Sequence, residues 1–340
     1  MHESQEKRTA KSTRLAPWIH LLSMALGILV LLTIFFGSAV TSREAGDSDP
    51  TWNPFLFFRW WRAAEGGLAI ELDHRKFGMF VGILALAHVL FMYLGEPRDK
   101  LRKLGYWVFG AICLQGVLGG VRVLSVNHQP TITFLGENFG DPQNFRVGLA
   151  MAHGFLAQLI LAGYLWIWLQ TKKDWRNGSK RVWKSSFAVK TQRALTIVCY
   201  MLALQLILGT FLRHDRDPLH GIVWVHLAWG ISTAAMLLVV GARSRARIPE
   251  AYSLNRLTGL ARTIVIIQVF LGFLAWAFVL DQQVAASWDL NLLIRAGHQI
   301  NGAFLLAVSI AAALRARLVL QQAEGLESPA APMDGEGAVL

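Results

Sequence analysis

The chain has 340 residues, of which 54% are hydrophobic and only 16% are charged. Soluble domains carry about 25% charged residues, so a water-soluble two-domain enzyme is set aside. Two cysteines are too few for a disulfide framework or a cysteine-rich metal site, and the formal charge of +11 is read first as membrane topology.

Eight stretches reach the roughly 20 apolar residues that a bilayer span requires. In chain order they cover 17–40, 72–94, 104–124, 147–169, 192–212, 221–242, 260–280 and 292–314. The first is too long for the apolar core of a signal peptide and more spans follow it, so it reads as a retained span. The second opens on Asp73-His74-Arg75-Lys76, which places its apolar part from Phe77 onward. The expected fold class is an all-α integral membrane protein of eight transmembrane helices.

Lysine and arginine set the orientation. The N-terminus, the 95–103 loop, the 170–191 loop with its edge at Arg193, the 243–262 segment and the end of the last span hold 23 of the 33 basic residues. Both termini are therefore expected in the cytoplasm. Most of the positive charge is an orientation signal. No basic patch interleaved with aromatics points to nucleic acid, so none is expected as a partner. Residues 1–16 read as a short cytoplasmic segment, and 315–340 as a disordered cytoplasmic tail. The sequon Asn177-Gly-Ser179 lies in an inside loop and carries no weight.

The odd spans share a pattern near their outer ends. It reads Gln115-Gly-Val-Leu-Gly119, Gln205-Leu-Ile-Leu-Gly209 and Gln268-Val-Phe-Leu-Gly272, with a degenerate copy Thr33-Ile-Phe-Phe-Gly37. Residues i and i+4 share a helix face. The expected role is helix packing, with glycine for close approach and glutamine for a bond across helices. The even spans each carry one histidine near the outer end: His74, His153, His226 and His298. His74 and His226 are 152 residues apart, and His153 and His298 are 145 apart. These separations point to a duplication in parallel topology. The expected halves are pseudo-symmetric four-helix bundles, 17–169 and 192–314, joined by a basic linker over 170–191.

A single intramembrane histidine is ordinarily bonded to a neighbouring helix. Four at matched depth, with His74 nearer its helix start, are functional candidates. Paired within each half, they would supply two axial ligands to a haem iron. Structural zinc wants four protein ligands, which neither half offers. His88 lies 14 residues after His74, but span four has no second histidine to match it, so it reads as a packing residue. Glu71 shares the face of His74 and would move protons at a haem edge. Its plain alternative is a first-turn acid complementing the helix dipole. Arg75, Arg122, Arg146, Arg213 and Arg295 gather at outer span ends. They suit anionic haem propionates, and snorkelling explains each equally well. Cys113 and Cys199 lie inside spans and read as small core residues.

These residues, in their order and spacing, resemble the haem A synthase family, the eight-span enzymes of cytochrome oxidase assembly. The resemblance covers about 17–314. It rests on Glu71-Leu-Asp-His74-Arg75, Ala152-His153-Gly154, His226-Leu-Ala-Trp-Gly230, Gly297-His298-Gln-Ile-Asn-Gly302, the Gln-x-x-Leu-Gly copies and the segment 37–46. It implies oxidation of the C8 methyl of haem O to a formyl, giving haem A, through two hydroxylations and loss of water from a gem-diol. It implies that His74 and His153 bind the substrate haem, that His226 and His298 ligate a permanent haem b, and that Glu71 is needed for activity. Arg75, Arg122, Arg213 and Arg295 remain the cofactor-side cations. The implied partners are haem O, the farnesyltransferase that makes it, and membrane lipid, with the electron donor unspecified. The implied location is a bacterial-type cytoplasmic membrane with the haem sites toward the outer face. The sequence departs from the family pattern in one respect. Its first outer loop, 41–71, lacks the cysteine pair many members carry and holds an aromatic run over 55–61, read as lying on the membrane surface. Two other functions share the ligands but need no Glu71: a di-haem b-type electron-transfer cytochrome, and a haem carrier or assembly chaperone.

Overall fold

The computed structural model describes residues 2–43, 45–49, 64–125, 133–134, 137–138, 142–172, 175, 183–214, 221–280 and 290–321. Eight long helices dominate: α1 (His2–Ser42), α2 (Gly66–Gly95), α3 (Asp99–Leu124), α4 (Pro142–Thr171), α5 (Ala188–His214), α6 (Gly221–Arg247), α7 (Tyr252–Leu280) and α8 (Leu290–Val319). All eight are long and apolar enough to cross a membrane. Bulky apolar side chains such as Ile83, Leu86, Trp107 and Phe270 point outward, as lipid-facing side chains do. The chain is an integral membrane protein. The described residues also include a short 3-10 turn over Ala45–Asp47 and two short strand pairs: β1 (Thr133–Phe134) antiparallel to β2 (Glu137–Asn138), and β3 (Trp183–Lys184) parallel to β4 (Leu320–Gln321).

Packing follows a simple order. Helix α1 lies against α2 and α4, and α3 lies against the same two; α2 and α4 stand diagonally opposite. Likewise α5 and α7 each lie against α6 and α8, so α6 and α8 are diagonal. Helix α8 also packs on α1 and α4, and it is the most buried of the eight. Its interior face mixes small residues, Gly302, Ala303, Ala307, Ala311, Ala312 and Ala316, with the large buried Leu292, Leu305 and Leu306. Small residues let helix backbones approach closely where lipid supplies no hydrophobic drive. Ala303 and Ala307 join a core built from α1–α4, while Ala311, Ala312 and Ala316 join one built from α5–α8.

Several boundaries differ from the sequence reading. Helix α1 extends back to His2, through a segment rich in helix-forming Glu, Gln, Lys and Ala. Helix α2 starts at Gly66, so His74 lies well inside it rather than near its start. Helix α5 starts at Ala188, within the expected linker. Helix α8 runs past 314 to Val319, and β4 follows it directly. Tertiary contacts explain the last difference. The Gln192 amide donates to the carbonyls of Ala316 and Leu320. Arg315, counted as a loop charge, is buried over the Trp175 ring and donates to Ser253 Oγ. The aromatic run 55–61, the sequon 177–179 and residues after 321 lie outside the described residues.

Candidate functional site

The histidines meet in pairs across the two diagonals. His74 of α2 and His153 of α4 have ring centroids 6.2 Å apart and planes at 70°. His226 of α6 and His298 of α8 stand 6.5 Å apart with planes at 66°. Two metal–imidazole bonds of about 2 Å, with both ring radii added, place trans imidazole centroids roughly 6.3 Å apart. Both pairs have that spacing.

Each histidine rests against a glycine of the preceding helix. A Cβ on Gly37 would stand 2.9 Å from His74 Cε1, and one on Gly119 would stand 3.1 Å from His153 Cε1. For Gly209 against His226 and Gly272 against His298 the distance is 3.0 Å in both cases. These glycines close the four sequence copies. The polar residue that opens each copy, one turn away, addresses the same histidine. Gln115 donates to the His153 carbonyl at 3.0 Å. Gln205 donates to the His226 carbonyl at 3.0 Å and stands 3.1 Å from its Nε2. Gln268 stands 3.3 Å from His298 Nε2 and accepts from Asn301 at 2.7 Å. In the degenerate copy the Thr33 carbonyl lies 3.0 Å from His74 Nδ1. A carbonyl only accepts, so Nδ1 carries the proton and Nε2 keeps its lone pair for a metal. The repeat makes the expected bonds across helices, and in all four copies its glycine also seats a histidine of the neighbouring helix.

The seats lead to a direct expectation. An alanine at Gly209 or Gly272 pushes the imidazole away by crowding its Cε1, while the helices stay in place. Any bis-imidazole low-spin absorbance per mole of protein should fall several-fold, with unchanged circular dichroism. Gly110→Ala, where a Cβ meets nothing within 4 Å, serves as the silent control. Identical spectra for all three variants would refute the seat.

Around the first pair lies a buried acid network. Glu71 is 3% exposed. It accepts from Arg75 through Oε1 and from the Asp49 amide through Oε2 at 3.0 Å. Arg75 in turn bonds the Asp49 carboxylate and the Asp49 carbonyl, each at 2.7 Å. Helix α2 has no acid in its first turn, so the helix-dipole reading of Glu71 does not apply. Arg122 donates to the Gly46 carbonyl at 2.7 Å and lies in electrostatic reach of Glu71, His74 and His153. The segment after α1 therefore folds over α2 and closes the site.

Among the described residues the second pair has no such acid. Val223 stands three residues before His226, where Glu71 stands before His74, and it is buried. Cations are present instead. Arg213 reaches Ser38, Ser42 and Gln299. Arg295 lies in electrostatic reach of Arg213. Neither makes an ion pair among the described residues. Two guanidiniums near a histidine pair without a carboxylate suit an anionic ligand group.

The donor set fits a haem iron. The buried Nδ1 atoms of His153, His226 and His298 have no hydrogen-bond partner among the described residues. A buried polar atom of that kind calls for an ion or water. The described residues hold no cluster of three or more His, Cys, Asp or Glu, so a bare tetrahedral metal finds too few ligands. His88 is held by Ser23 Oγ at 2.9 Å and packs edge-on to Tyr164, as a structural histidine does. Sequence reasoning missed Asp49, Ser38, Ser42 and Gln299. The segment 37–46 carried part of the signal, but Asp49 lies beyond it and follows no periodicity.

Eight membrane-crossing helices with two facing histidine pairs define an integral membrane protein built around buried imidazoles. Residues 63–221 match the family described as cytochrome oxidase assembly protein, COX15-CtaA. That region takes in Glu71, His74 and His153 and stops short of His226. The chain is also similar to a heme A synthase of Hyphomonas neptunium, 28% identical over 147 residues, 42% of this chain and 36% of that protein. A heme A synthase of Bartonella quintana is 24% identical over 188 residues, 51% of this chain and 44% of that protein. One of Symbiobacterium thermophilum is 27% identical over 104 residues, 30% of this chain and 34% of that protein. The matched regions thus span less than half the length of each relative. No solved structure matches the chain. Each of these matches is a likeness over part of the chain.

Proposed function

We propose that the protein is a haem A synthase, oxidising the C8 methyl of haem O to a formyl for cytochrome oxidase assembly. The observation that carries this reading is an asymmetry between two otherwise matched sites. Both present imidazoles at the spacing of a bis-ligated iron, but among the described residues only the first has a buried carboxylate on the same helix face, Glu71 where the second has Val223. His74 and His153 hold the substrate haem in the N-terminal half, 17–169. His226 and His298 hold a permanent haem b in the C-terminal half, 192–314. That haem b supplies electrons one at a time when bound.

The chain's own residues do the rest. The Thr33 carbonyl fixes the tautomer of His74. Arg75 and the Asp49 amide hold the Glu71 carboxylate still beside the substrate, where it takes or returns a proton. Arg122 in the first half, and Arg213 and Arg295 in the second, offer charge to haem propionates. The lysine and arginine bias supports both termini in the cytoplasm and the histidine pairs toward the outer face. Haem O arrives from the farnesyltransferase that makes it.

Extraction and chromatography of the haems bound to the purified protein test this reading. Haem O or haem A beside haem b is expected. Two b haems alone would overturn it in favour of an electron-transfer cytochrome, and absence of haem O and A from cells that make haem O would do so too.

A further inference from the structure

Arg213 sits in the last turn of α5, and its guanidinium joins three helices. NH1 donates to Gln299 Oε1 on α8. NH2 donates to the Ser38 carbonyl, to Ser38 Oγ at 3.0 Å and to Ser42 Oγ at 2.7 Å, all on α1. The neighbours of these partners matter. Gln299 follows His298. Ser38 follows Gly37, the glycine against which His74 rests. One planar group therefore binds beside His298 on α8 and beside the glycine of α1 that seats His74.

The surrounding contacts give this bond its weight. Where α8 meets α1 and α4, the buried residues include Ala303 and Ala307. Apolar contacts of this kind set distance but carry less directional information than hydrogen bonds. The arginine fork spans two partners at fixed angles, which a lysine point charge does not. The end of α1 also presents its negative dipole end to the cation.

We propose that Arg213 is a positioning residue that fixes the two histidine pairs relative to each other, holding α1 at the His74 seat and α8 at His298 through one buried guanidinium. Its consequence for electron transfer between the pairs rests on reading both as haem sites. The mechanical coupling does not.

The test uses the full chain with Cys113 and Cys199 replaced by alanine and spin labels at Leu124→Cys and Leu293→Cys, exposed positions on α3 and α8. With Arg213 present, pulsed electron-electron resonance should give one narrow inter-label distance. In Arg213→Gln the distribution should broaden at least twofold. In Arg213→Lys, which keeps the charge and one side of the fork, the broadening should be smaller, and this variant decides if the glutamine variant does not fold. In protein loaded with haem at both sites, electron transfer between the sites, measured per doubly loaded molecule, should slow at least tenfold. A merely structural role would lower the yield of protein and leave the rate per loaded molecule unchanged. An unchanged distance distribution overturns the proposal, as does a broadened one with the original transfer rate. The distance measurement needs no haem, so it decides even if haem extraction refutes the functional reading.

Discussion

Replacing His226 or His298 by alanine should abolish the b-type spectrum of the C-terminal half. Each pair offers two imidazoles at the separation of a bis-ligated iron, and losing one leaves a single axial ligand. No other described histidine is seated beside this pair to take over. The surrounding seat should survive the change. Gln205 keeps its bond to the residue-226 carbonyl, and Gln268 keeps its bond to Asn301. The fold should therefore persist while the low-spin absorbance falls to background, and haem A output should drop at least tenfold for want of electrons. Reduced-minus-oxidised difference spectra on each variant read this directly. A variant that retains the full b-type spectrum would remove His226 and His298 as ligands.

Glu71→Ala should cut haem A formation by about 10²-fold or more, the usual scale for losing a positioned acid–base group. The bound haem spectra should be unaltered, because Glu71 touches neither imidazole and sits a helical turn from His74. Arg75 retains its two bonds to Asp49, so the loop segment should stay over α2. Glu71→Gln sharpens the result. It keeps an oxygen for the Asp49 amide and removes the ionisable group. If the carboxylate exchanges a proton with the reaction, glutamine should be as inactive as alanine. Normal haem A output from the glutamine variant, measured by chromatography of extracted haem, would reduce Glu71 to a loop anchor.

Much of the architecture was legible in the chain. Span number follows from hydrophobic runs, because a bilayer imposes a length of apolar helix that composition alone reveals. The four histidines were legible for a related reason: an ionisable group is costly in lipid, so each one in a span stands out. Boundaries were less legible. Val319 and Leu320 looked like tail because what holds them is distant in sequence, Gln192 of α5 and strand β3. The Gln-x-x-Leu-Gly copies were visible, but not that their glycines seat histidines. A glycine chosen for helix contact and a glycine chosen to leave room for an imidazole look the same in a sequence.

The sequence by itself determined an eight-helix membrane protein with one histidine near the end of every second span. Hydrophobic length and periodicity are local properties, and the eye can follow them along the chain. The pairing of histidines within each half was expected from the duplication, and only the tertiary structure decided that their helices stand diagonally opposite, with the rings facing at 6.2 and 6.5 Å. It also decided that Asp49 and Arg75 enclose Glu71 and that Arg213 ties α5 to α1 and α8. Those contacts join residues up to 175 positions apart. Long-range partners leave no periodic trace, because what selects them is the space between packed helices.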